Sequence, residues 1–195
     1  MRNLTSGIIL VLLALIAVWV FWPTQEHTPV LKGKNSMQEL KLTSDAFTRN
    51  GLLPSRFTCD AKAPMSPPLA VSGIPAGTNT LALILHDPDA PRARGFTHWV
   101  RFNIPWNMNN GTWTIQEGKE PEGTAGKGSA NTLAYYPPCP PTDTHRYIFT
   151  IYALDAALSL GEGATKTEVE AAMQGHVLGK GELTSLYSRP LRLSQ

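Results

Sequence analysis

Residues 79–105 read NTLALILHDPDAPRARGFTHWVRFNIP, and this stretch decides the fold class. Leu81, Ala82, Leu83, Ile84 and Leu85 form a short unbroken apolar run that ends in an acidic, proline-rich turn. That is the pattern of a buried strand. A second strand is predicted over THWVRFNIP. Between them the prolines at 88 and 91 fix their own φ and restrict the residues before them, which holds Asp87 and Asp89 in a defined geometry. Outward from this pair, RYIFTIYALD at 146–155 is another strand, and QELKLTS at 38–44 alternates like one. Thr167 and Glu170 have capping-box spacing ahead of Val169, Ala171, Ala172 and Met173, with Gly175 as a stop, so a short helix is predicted late in the chain.

The 195 residues supply one core, and 16 Gly with 16 Pro favour many short strands and fixed loops over a helix bundle. The expected fold is mainly β. The formal net charge is +2, which gives no electrostatic footprint for nucleic acid.

The N-terminus is different in kind. Residues 8–22 read IILVLLALIAVWVFW, preceded only by Arg2 and the terminal amine as positive charges. As a helix, 4–22 would span roughly 28 Å, close to the thickness of a bilayer's hydrocarbon core. A cleaved signal peptide ends in small residues, whereas this run ends in Trp19, Phe21, Trp22 and Pro23, which suit a membrane interface. An uncleaved signal-anchor at 1–22 is therefore expected, with a polar tether at 23–36 and a β domain at 37–195. Positive-inside orientation places that domain outside the cytoplasm, which is the periplasmic side if the membrane is a bacterial inner membrane, or secreted if the segment is cleaved. In that compartment Cys59 and Cys139 are permitted to form a disulfide. Two separate buried thiols are the alternative.

Three places bring Asp, His or Tyr to a junction of loop and strand: His86 to Pro91, Gly95 to Val100, and Tyr135 to Tyr147. Each alone is an ordinary turn or strand entrance; together they predict one site. The same text resembles the phosphatidylethanolamine-binding protein family in its bacterial Raf-kinase-inhibitor-like branch. The resemblance runs through AFTRNGLLPSRFTCD, SPPLAVSGIPAGTNTLALILHDPDAPRARGFTHWVRFNIP, PPCPPTDTHRYIFTIYALD and GATKTEVEAAMQGHVLGKGELTSLYSR, nearly all of 40–189. It implies a large central sheet, a smaller sheet packed on it, a few peripheral helices, and an anion pocket at one end of the sheet. By motif, the pocket would take Asp87 and Asp89 from D-P-D-A-P, His98 from the element after G-F-T, and His145 and Tyr147 from H-R-Y. Pro91 and Pro138 would be its walls. One departure stands out. The branch reads Y-G-G-P-C-P-P where this chain has Tyr135-Tyr136-Pro137-Pro138-Cys139-Pro140-Pro141, so a stiffer loop and a narrower rim are expected.

The expected ligand is a phosphate-containing or other anionic small molecule, such as a phospholipid head group. An Asp bonded to an imidazole favours its charged form and turns the other N–H outward, so His98 or His145 would donate to a phosphate oxygen. Tyr147 would add a neutral donor, and a second Asp would receive an ammonium. Catalysis is the weaker reading, because no G-x-S-x-G, P-loop or Rossmann pattern accompanies these residues. No cofactor is expected. No metal is expected either, since His86, His98 and His145 lack helical ligand spacing. An envelope protein-interaction module, such as a protease inhibitor, is the alternative function.

Overall fold

The computed structural model describes residues 37–106 and 111–190; the expected anchor at 1–22 and tether at 23–36 lie outside the described residues. Among the described residues no helix is long and apolar enough to cross a membrane.

The strands are β1 Gln38–Glu39, β2 Lys41–Thr43, β3 Gly51–Leu52, β4 Leu69–Ser72, β5 Thr80–Asp87, β6 Phe96–Pro105, β7 Thr112–Ile115, β8 Thr124–Ala125, β9 His145–Leu154 and β10 Val177–Tyr187. A large mixed sheet runs β1-β10-β9-β5-β6-β8, with β3 also on β10. A small antiparallel sheet runs β2-β4-β7. The segment 38–44, expected as one strand, is divided at Leu40. There the chain leaves β10, where Leu40 N donates to Lys180 O at 2.8 Å, and passes to the small sheet.

The central strand β5 explains the unbroken apolar run. Leu81, Leu83 and Leu85 face the core shared with Leu42, Leu69, Val71 and Ile115 of the small sheet. Ala82 and Ile84 face a second core with Val100, Phe102, Val169 and Met173 on the opposite side. A strand covered on both faces has no solvent position to fill with a polar residue. The second core is closed by α1, Lys166–Ala172.

The capping box of α1 is Thr165 with Glu168, two residues before the predicted pair. Thr165 is held extended by a bridge to Lys127. That fixes the last non-helical residue and decides between two overlapping T-x-x-E patterns. Gly175 does stand at the stop, with φ +84°.

Candidate anion pocket

Three neighbouring strands end at one place. β5 ends at Asp87, β6 begins at Phe96 and β9 begins at His145, all at the same end of the large sheet because β5 is antiparallel to both. Asp87 is 3 % exposed and fully engaged. Its Oδ1 accepts the backbone N–H of Asp89 at 2.8 Å and of Ala90 at 3.0 Å, and its Oδ2 accepts from His145 Nδ1 at 2.7 Å. Pro88 has no N–H, so the first donors after Asp87 are those of residues 89 and 90, and the carboxylate closes the turn on itself. With Nδ1–H given to Asp87, Nε2 is the nitrogen that His145 has left for a ligand.

His98 reaches the site through a bulge. The register of β5 with β6 passes from Leu85↔Trp99 to His86↔Thr97, so His98 is the extra residue. It therefore shares a face with its neighbour Trp99 instead of alternating with it. Its ring lies edge-on to Tyr147 at 5.4 Å and against Phe96 at 4.6 Å. Nδ1–H donates to Tyr136 O at 2.9 Å, and Tyr136 N donates back to His98 O at 3.0 Å. Burial pushes the His98 imidazole down to about 4, so at neutral pH it is uncharged and its Nε2 is an acceptor. The expectation of a cationic His98 donor is corrected by that burial.

Asp87, His98 and His145 line one cavity of about 310 Å³ together with Ala90, Pro91 and Arg92 from the turn. Phe96, Tyr136, Cys139 and Pro141 complete its wall. Of the residues named from the sequence, Asp89, Pro138 and Tyr147 do not line it. Asp89 is taken by Arg146, which donates from Nη2 at 2.7 Å, Nε at 2.9 Å and its backbone N at 2.8 Å. That cation holds the Asp89 carboxyl down at about 2. Pro138 is buried behind the wall, its carbonyl accepting from Cys59 N at 3.0 Å. Tyr147 has no exposed surface and packs one pleat deeper, against the rings of His145 and His98. Its hydroxyl has no hydrogen-bond partner among the described residues, and burial raises it far above the ordinary tyrosine range.

Arg92 and Phe96 are contributions that the sequence reading did not assign. Arg92 lies over the Phe96 ring, 5.0 Å from its centroid, and is the cation of the lining. Tyr136, half of the departure from Gly-Gly, puts its ring 5.6 Å from Phe96 and forms part of the rim. The signal for Phe96 was its position opposite Asp87 across the turn. His86 belongs elsewhere: its Nδ1 meets Thr97 Oγ1 at 3.3 Å on the opposite face. Cys59 and Cys139 form a disulfide with Cα atoms 5.3 Å apart, so the alternative of two free thiols is set aside.

Two stacked sheets with a buried Asp–His pair at the end of the central strands define a mainly β binding-protein fold. The chain belongs to the phosphatidylethanolamine-binding protein family, whose model matches residues 43–188. A UPF0098 protein of Methanothermobacter thermautotrophicus is 45% identical over 152 residues, covering 77% of this chain and 99% of the relative. A UPF0098 protein of Chlamydia trachomatis is 37% identical over 154 residues, with the same two coverages. Among solved structures, a phosphatidylethanolamine-binding protein homolog from Chlamydia trachomatis superposes with a TM-score of 0.71 at 36% identity, covering 78% of this chain and 99% of that one. Escherichia coli YbcL, reported as a new member of the mammalian family, matches in fold with a TM-score of 0.70 at 24% identity and the same coverages.

Proposed function

We propose that the chain is an exported binding protein whose pocket takes a small phosphate-like group, such as a phospholipid head group. The observation that carries this reading is one cavity facing both the Asp87–His145 pair and the Arg92 guanidinium. Arg92 supplies a permanent charge and a planar fork suited to oxyanions. His145 donates from Nε2 when its ring is protonated, while Asp87 holds the other nitrogen. His98 accepts instead, from an ammonium or a protonated oxygen of the same ligand. A zwitterionic head group offers both chemistries.

Export is supported by the Cys59–Cys139 disulfide, a bond that persists in oxidising compartments. Tethering through 1–22 rests on hydropathy, and its test is fractionation: an anchored chain stays in the membrane pellet through a carbonate wash and keeps its N-terminus. A soluble product beginning near Pro23 would mean a cleaved signal.

The pocket is tested by calorimetry of the full chain with phosphoethanolamine. Arg92→Gln and His145→Gln should each weaken binding by about 1.5–3 kcal/mol, the worth of a charge-assisted hydrogen bond. Full affinity in both variants would redirect the assignment to a protein-interaction role.

A further inference from the structure

On the opposite face of the same two strands lies a second polar cavity, of about 210 Å³, which shares no lining residue with the pocket at Asp87. The turn from β5 to β6 serves both: Ala90, Pro91 and Arg92 line the first, Arg94 and Gly95 the second. Gly95 is there by necessity. Its φ is +67°, and a Cβ would lie 2.3 Å from Asp87 O and 2.8 Å from His86 Nε2.

The lining of this second cavity is of one sign. Arg94, Lys127 and Lys166 bring three cations, Thr97, Ser129 and Thr167 bring hydroxyls, and no carboxylate lines it. The nearby acids are committed elsewhere. Glu170 pairs with Lys166 at 2.9 Å, and Glu168 is held by Thr165 N and Oγ1 at 2.7 and 2.8 Å. Arg94 and Lys127 make no ion pair among the described residues; the Glu168 carboxylate feels the charge of Lys127 without touching it, so both cations keep their donors free for a ligand.

The walls are fixed before any ligand arrives. Ser129 N donates to Thr97 O at 2.8 Å, and Ser129 Oγ accepts from Thr97 N at 2.9 Å, which leaves the serine O–H to donate. Lys127 N is tied to Ala164 O at 2.9 Å and Gly128 N to Thr132 O at 3.0 Å. Like-charged side chains around rigid hydroxyls in a concavity repel one another until an anion neutralises them, and the tied backbone spends little entropy when it binds. The volume is below the usual range for whole drug-sized ligands, which restricts the occupant to a small group.

We propose that this cavity is a second oxyanion site, built from Arg94, Lys127 and the Ser129 hydroxyl and sized for a phosphate- or sulfate-type group. It is independent of the reading of the first pocket.

The test is two-dimensional amide NMR of the full-length chain in a non-ionic detergent, titrated with inorganic phosphate. The amides of Gly95, Gly128 and Ser129 should shift and saturate with a midpoint of about 1–10 mM, the affinity of a small charge-paired site. In the exposed-surface double variant Arg94→Gln/Lys127→Gln that midpoint should rise at least about tenfold, while the amides of Ala90 and Tyr136 respond as in the parent. His145→Gln should leave the shifts at Gly128 and Ser129 intact, which separates this site from the first. Silent amides at 128 and 129, shifts that persist in the double variant, or equal shifts with sodium chloride at matched ionic strength would each overturn the proposal.

Discussion

The imidazole of His145 and the carboxylate of Asp87, 58 residues apart in sequence, meet at 2.7 Å with both side chains buried. One carboxylate thereby closes the turn after β5 and sets the tautomer of the histidine that opens β9. Asp87→Asn removes the charge that fixes this arrangement. Stability should fall by about 1–3 kcal/mol, and the His145 ring should lose its preference for a proton on Nδ1. Urea unfolding reads the first and imidazole nitrogen shifts the second. An unaltered tautomer in the variant would show that Asp87 does not orient the ring.

His98 makes folding stability depend on pH. An unperturbed imidazole titrates near 6.5, and burial brings the folded one down to about 4. The unfolded state therefore takes up the extra proton between these values. The contribution of neutral His98 is fully present above about pH 6.5 and is lost as pH falls toward 4, on the order of 3 kcal/mol in all. Urea midpoints of the parent should decline across that window more steeply than those of His98→Gln. Parallel declines would remove His98 as the cause.

The disulfide closes a loop of 80 residues and joins the pocket wall at Cys139 to the segment after the 3-10 turn Ser55–Phe57. The double variant Cys59→Ser/Cys139→Ser should lose about 4 kcal/mol in the chain-entropy picture. Its fold should persist, because Tyr135 Oη still donates to Phe57 O at 2.7 Å and Cys59 N to Pro138 O at 3.0 Å. Phosphoethanolamine affinity should fall as the wall loosens. Thermal unfolding with and without a dithiol reductant gives the same comparison in the parent chain; equal melting temperatures would contradict it.

Asp89 should behave unlike Asp87. Its ion pair with Arg146 is at the surface, where screening limits such pairs to about 1 kcal/mol or less. Asp89→Asn should cost no more than that and leave ligand affinity at the parent value. A loss of affinity comparable to that of Arg92→Gln would return Asp89 to the pocket.

Local pattern was enough for some of this molecule. The apolar run before Asp87 read as a buried strand, the two strands beside it followed from their own composition, and the acidic Pro-rich turn had to be rigid. Strand β10 was not legible, because Gly179 and Gly181 dilute its pattern. Their need is tertiary: a Cβ at Gly181 would lie 2.5 Å from Leu40 O, at the break between β1 and β2.

The roles of the site residues divide in the same way. Sequence by itself determined which chemical groups stand at the strand ends, since residue identity and the covalent restriction of proline are local properties. Only the tertiary structure decided which of them share a cavity. A one-residue bulge turns His98 onto the face of Asp87, Arg146 draws Asp89 out to the surface, and the depth of the pleat buries Tyr147 beneath the two imidazoles. Register, ion-pair partner and depth are set by contacts across the sheet, such as Asp87 with His145, 58 positions apart, and no local window of sequence contains both members of such a contact.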